Sequence, residues 1–180
     1  MTFSMVRLGL ETIDELDCDT LVAYHFAEDR PLKRLAGVVD WRMNGWLSKQ
    51  VVHGLASGRA RDMLLTPGKA QFPVSRLLMV GLGTRSEFSA DLYRSVCLST
   101  LRTLIRLPSQ RFAIEIPGGD EVNLVPRQAM EMWLTAYHQT IVSLGMEVQV
   151  TFVGTQEEIE DWKDPLTRFE KQYGGELGAF

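Results

Sequence analysis

The run Arg76 to Ser89, RLLMVGLGTRSEFS, constrains the fold of this chain more than any other segment. Leu77 to Val80, with Arg76 ahead of them, read as a buried strand that passes straight into Gly81-Leu82-Gly83. A helix then starts near Ser89. A strand delivered through a glycine turn into a helix is the repeating unit of α/β folds, and the turn is where such folds offer backbone N–H groups to a ligand.

The rest of the chain repeats that alternation. Thr2 to Leu10 is expected to open as a strand, followed by an acidic solvated loop, Glu11 to Asp19, whose spacing lacks the glycine and terminal glutamate of a calcium loop. Leu21 to Ala27 is a near-continuous apolar run, which marks a central strand. Between Val38 and Leu55 the apolar residues Val39, Met43, Trp46, Leu47, Val51 and Leu55 recur at three- and four-residue steps, which predicts one helix closed by Gly54 and Gly58. Asp62 to Thr66 is a short strand ended by Pro67-Gly68, and Ser89 to Leu107 an amphipathic helix stopped by Pro108. Phe112 to Ile116 is a further strand. Pro126 opens a long helix with Met130, Leu134, Tyr137, Ile141 and Leu144 on one face, ending at Gly145. Glu147 to Val153 alternates as a last strand. Thr155 with Glu158 forms a capping-box pattern for a closing helix that Asp164-Pro165 is expected to break in two, and the ending GGELGAF reads as frayed. The pattern predicts an α/β three-layer domain: a mixed sheet of about six strands with helices on both faces.

At 180 residues the chain suits one domain, here residues 1–154 with 155–180 as a helical extension and tail of the same unit. A net charge of −4 provides no global basic field for nucleic acid. Two distant cysteines, Cys18 and Cys97, fit a reducing compartment. No stretch reads as a secretory leader or membrane span, so a cytoplasmic protein without membrane contact is expected.

Gly81, Leu82, Gly83, Thr84 and Arg85 are the candidate ligand residues, since glycine admits a phosphate close to the backbone and Thr84 and Arg85 add donors and charge. The run lacks the third small residue of a dinucleotide fingerprint, so a tight structural turn also fits. His25, His53 and His138 have no partner at metal-ligand spacing, Cys97 reads as a buried hydrophobe, and the four tryptophans as core or interface anchors. No catalytic elbow, zinc motif or phosphate loop is present in the sequence. No catalytic residue, metal ligand or cofactor is therefore assigned.

DTLVAYHF (Asp19 to Phe26), VVHGLASG (Val51 to Gly58), DMLLTPG (Asp62 to Gly68), RLLMVGLG (Arg76 to Gly83) and the helix holding Tyr93 and Arg94 together resemble the N-terminal domain of the leucine aminopeptidase (cytosol aminopeptidase) family, over roughly residues 15 to 155. The resemblance implies a macro-domain-like fold. In the full enzymes a separate C-terminal domain holds two metal ions in an Asn-Thr-Asp-Ala-Glu-Gly-Arg context; that string is not in this sequence, so a non-catalytic binding or assembly module is expected. It would associate with itself or with a separate catalytic aminopeptidase, with Trp162, Leu166, Phe169 and Tyr173 as a partner surface or as a stripe docked on the parent domain. Binding, with or without hydrolysis, of ADP-ribose or another nucleotide near Gly81 to Arg85 is the alternative, and DNA binding a third.

Overall fold

The computed structural model describes residues 2–68, 73–119, 122 and 124–174. Among them, six strands form one sheet in the order β1-β6-β5-β2-β4-β3. These are β1 (Thr2–Arg7), β2 (Thr20–His25), β3 (Met63–Pro67), β4 (Arg76–Gly81), β5 (Arg111–Glu115) and β6 (Gln149–Gly154). Every neighbouring pair is parallel except β3 on β4, so the sheet is mixed as expected. Parallel strands in the middle of such a sheet are covered on both faces, which is why β2 is buried at every position and its sequence is apolar without alternation.

Successive side chains of a strand point to opposite faces, and each face has its own core. Val22, Tyr24, Leu78, Val80, Phe112, Ile114 and Phe152 pack with α4 (Ala90–Leu104), α5 (Pro126–Thr140) and α6 (Gln156–Tyr173). Leu21, Ala23, Leu77, Met79, Ala113 and Val153 pack with α1 (Leu10–Asp14), α2 (Arg34–Arg42) and α3 (Trp46–Val52). The result is the three-layer α/β architecture with helices on both faces. α6 lies on α5 and reaches β1.

Three local expectations need correction. The first strand stops at Arg7, and the start of the supposed acidic loop is the short helix α1, which buries Ile13. The single helix expected over 38–55 is two, α2 and α3, broken at Asn44 and Gly45, both left-handed with φ of 54° and 71°. The apolar period runs through the break because both pieces bury the same side, Leu35 and Val39 from one, Leu47 and Val51 from the other. Asp40 splices them: its Oδ1 accepts the Ser48 backbone N–H at 2.9 Å and its Oδ2 the Ser48 hydroxyl at 2.5 Å. Finally, Pro165 does not divide α6, which continues to Tyr173. Proline inside a helix costs about 3 kcal/mol. Burial of Trp162, Pro165, Leu166 and Phe169 along the same stripe offsets it. Of the tail expected to fray, residues 175–180 lie outside the described residues.

Candidate functional site

Four of the five parallel strands, β2, β4, β5 and β6, end on one edge of the sheet beside a cavity of about 410 Å³ that the segments following them enclose. Crevices beyond the carboxyl ends of strands are the usual ligand sites of α/β folds, and this volume falls in the range of small-molecule pockets. His25 ends β2, Glu115 ends β5, Leu82 and Arg85 follow β4, and Thr155 and Glu158 begin α6; all line the cavity.

Arg34 crosses this space from the start of α2. Its backbone is left-handed, with φ of 51°, a conformation that costs a non-glycine residue of order 1 kcal/mol. Its Nε donates to Glu115 Oε1, and its Nη2 lies 2.9 Å from Glu158 Oε1. Glu158 is doubly engaged, since its Oε2 accepts the Thr155 backbone N–H at 2.9 Å while Thr155 Oγ1 accepts the Glu158 N–H at 3.2 Å. This is the capping box visible in the sequence, and its carboxylate is also an ion-pair partner. Burial works against the Arg34 charge, but Glu115 and Glu158 outweigh it and hold its pKa above the usual value. Glu115 is buried, and burial pushes its carboxyl above the ordinary range although Arg34 pulls the other way.

A second polar group sits beside the first. Asp29, also buried, accepts the Phe26 N–H at Oδ2 (2.9 Å) and Arg85 Nη2 at Oδ1 (2.6 Å). The Arg85 guanidinium lies 4.5 Å from the centroid of the Phe26 ring. Burial lowers the His25 pKa, with Asp29 opposing. Three buried polar atoms of cavity-lining residues have no hydrogen-bond partner among the described residues: Glu115 Oε2, His25 Nδ1 and the Tyr24 hydroxyl.

Of the residues singled out from the sequence, Leu82 and Arg85 line the cavity. The glycine turn itself is tied into the protein. Gly81 N–H donates to Asp62 O (2.9 Å), Leu82 N–H to His25 O (2.9 Å), Gly83 N–H to Gly58 O (2.8 Å) and Arg85 N–H to Glu28 Oε1 (3.1 Å). A Cβ on Gly81 would sit 2.1 Å from the Arg59 carbonyl oxygen, so glycine there serves a close chain crossing. Thr84 bonds Glu87 Oε2 at 2.8 Å. Trp162, Leu166 and Phe169 are buried in the chain's own core, and Tyr173, half-buried, packs against His138 with ring centroids 4.2 Å apart. Arg34, Asp29, Glu115 and Glu158 were not singled out as site residues; the one local signal was a carboxylate closing the apolar strand RFAIE. Among the described residues no group of three or more His, Cys, Asp or Glu is placed to hold a metal ion, and no helix is long and apolar enough to cross a membrane.

Residues 21–140 match the cytosol aminopeptidase family, N-terminal domain. A probable cytosol aminopeptidase of Thermosynechococcus vestitus is 30% identical over 79 residues, and one of Nitrosomonas europaea 34% identical over 77. The alignments cover 44% and 43% of this chain but 16% of each relative. Among solved structures, a Trypanosoma brucei macrodomain in complex with ADP-ribose aligns with a TM-score of 0.72 at 14% identity, over 91% of this chain and 68% of that one. An Oceanobacillus iheyensis macrodomain with MES bound gives 0.68 at 12% identity, over 93% and 92%. A tomato leucine aminopeptidase mutant gives 0.61 at 17% identity, over 94% of this chain and 36% of that one. At these identities the structural likeness concerns the fold, which is macrodomain-like.

Proposed function

The chain belongs to the cytosol aminopeptidase N-terminal-domain family, and from that premise we propose that it is a cytoplasmic binding module, without peptidase chemistry of its own, that takes a small polar ligand in the cavity at its strand ends. The observation that carries this reading is the set of three buried polar atoms without a hydrogen-bond partner among the described residues, Glu115 Oε2, His25 Nδ1 and the Tyr24 hydroxyl, on side chains that line one cavity. A buried polar atom left unsatisfied costs about 1–3 kcal/mol, a cost that a bound ligand supplying the missing contact removes. Macrodomains of the same fold solved with ADP or ADP-ribose are precedent for ligand binding on such a frame. The test is titration of the ¹⁵N-labelled protein with a panel of neutral, anionic and cationic small molecules. Saturable shifts of the Leu82, Val122 and Thr155 amides are expected for at least one, and no shift from any at millimolar concentration rejects the reading. Turnover of an amino-acid nitroanilide by the purified chain with added manganese or zinc would reject its non-catalytic part.

A second reading, assembly, is favoured by apolar side chains outside the core on the α2–α3 layer: Trp41 is 65% exposed, Val52 74% and Leu55 62%. These, and not the buried stripe of α6, are the surface on which association with a second copy or with a separate catalytic aminopeptidase would rest. Sedimentation velocity of the wild type against Trp41→Ser tests it: a concentration-dependent larger species lost in the variant supports assembly, and an unchanging monomer for both removes self-association.

A further inference from the structure

Resting on the reading of this cavity as a ligand site, we infer that its ligand carries a cationic amine, seated against Glu115, and is not a nucleoside diphosphate. The first argument is charge. Lys33, Arg34 and Arg85 line the cavity against Asp29, Glu115, Glu157, Glu158 and Asp161, three cations against five carboxylates. Two of the cations are already neutralised, Arg34 between Glu115 and Glu158 and Arg85 on Asp29. A pyrophosphate would enter an acidic crevice and meet guanidinium groups already paired with carboxylates. Repulsion of like charge is strongest where water is scarce.

The second argument is the backbone. The amides that a phosphate would need from the glycine turn, those of Gly81, Leu82 and Gly83, all donate within the protein. The third is the character of the partnerless atoms. Glu115 Oε2 can only accept while the carboxyl is ionised, His25 Nδ1 accepts in the neutral tautomer that carries its proton on Nε2, and the Tyr24 hydroxyl is able to accept as well as donate. An ammonium group has several donors and no acceptor, so it suits each of these acceptors, and its hydrogen bond to a carboxylate is charge-assisted. Glu157 and Asp161 stand exposed among the lining residues, where they raise the local concentration of cations.

The experiment uses the full chain and three probes: 1,4-diaminobutane, its uncharged counterpart 1,4-butanediol, and ADP-ribose. The diamine is expected to shift the His25 and Leu82 resonances saturably, with affinity falling as salt rises, while the diol and ADP-ribose leave them in place. Glu115→Gln is expected to weaken diamine binding about tenfold, the loss of one charge-assisted contact. Because a buried variant can misfold, the exposed pair Glu157→Gln and Asp161→Asn gives a second measure, with a weaker affinity and a shallower salt dependence than the wild type. Diamine binding outside the cavity, or untouched by all three substitutions, overturns the inference. ADP-ribose filling the cavity while the diamine stays silent also overturns it, but leaves the ligand-site reading standing; silence from every probe and from the wider panel removes both.

Discussion

Arg34 concentrates the tension of the site in one residue. It accepts a left-handed backbone and partial burial because its guanidinium answers two carboxylates that would otherwise face each other. Removing one partner of a buried pair leaves an uncompensated charge, which costs several times more than the pair contributes. Arg34→Ala is therefore expected to lower stability by about 3 kcal/mol in urea unfolding. Adding Glu115→Gln to that variant should recover a substantial part of the loss, and a double variant no more stable than the single would remove Arg34's ionic role. His25 has a pH signature. Its folded pKa is depressed below 6.5, so its neutral form contributes stability that is complete above 6.5 and drains away as pH falls through the lower folded value. Unfolding midpoints measured from pH 7 to 5 should decline, and His25→Gln should flatten that decline.

Among the elements, α6 carries both faces of the protein's logic: its first turn builds the cavity, and its stripe closes the core. Trp162 fits only because position 154 is glycine, where a Cβ would lie 2.2 Å from the indole. Trp162→Ala should cost about 3–5 kcal/mol and Gly154→Ala about 1–3 kcal/mol by thermal melting. If both melt like the wild type, α6 is not an integral part of the core. Thr155→Ala should cost about 1 kcal/mol through loss of the cap. This helix shows what a sequence can and cannot reveal. Its cap was legible, because Thr155 and Glu158 lie three apart and the chemistry is local. Its continuity through Pro165 was not, because tertiary burial overrode a local cost. The same holds for α2 and α3, where the apolar period was legible and the break at Asn44-Gly45 was hidden by it. At the candidate site, the glycine turn marked the edge of the sheet where the cavity lies, since strand, turn and helix are contiguous. The groups that furnish its chemistry were invisible, because Arg34 meets Glu115 across 81 positions and Glu158 across 124.

For the molecule as a whole, the alternation of apolar strands and amphipathic helices was enough to reach the three-layer fold, since each central strand declares burial on both faces. That burial also governs its thiols. Cys18 and Cys97 are both buried, and burial, as the largest cause, pushes each from 9.0 up to about 12. Such a group contributes stability that is whole below pH 9 and is lost as pH rises toward the folded value, because the unfolded thiol ionises first. Stability should fall by about 1 kcal/mol per thiol between pH 9 and 10, with Cys18→Ala halving that thiol-dependent fall. A thiol reagent at pH 8 should label neither cysteine until denaturant unfolds the chain; rapid labelling of the native protein would contradict their burial. The order of the sheet has one more consequence. β1 is made first, yet its pairing partner β6 emerges 147 positions later. At ribosomal speeds of about 5–20 residues per second, that leaves the opening strand waiting on the order of ten to thirty seconds, its backbone donors and acceptors without their sheet partner, during which chaperones and neighbouring nascent chains compete for it.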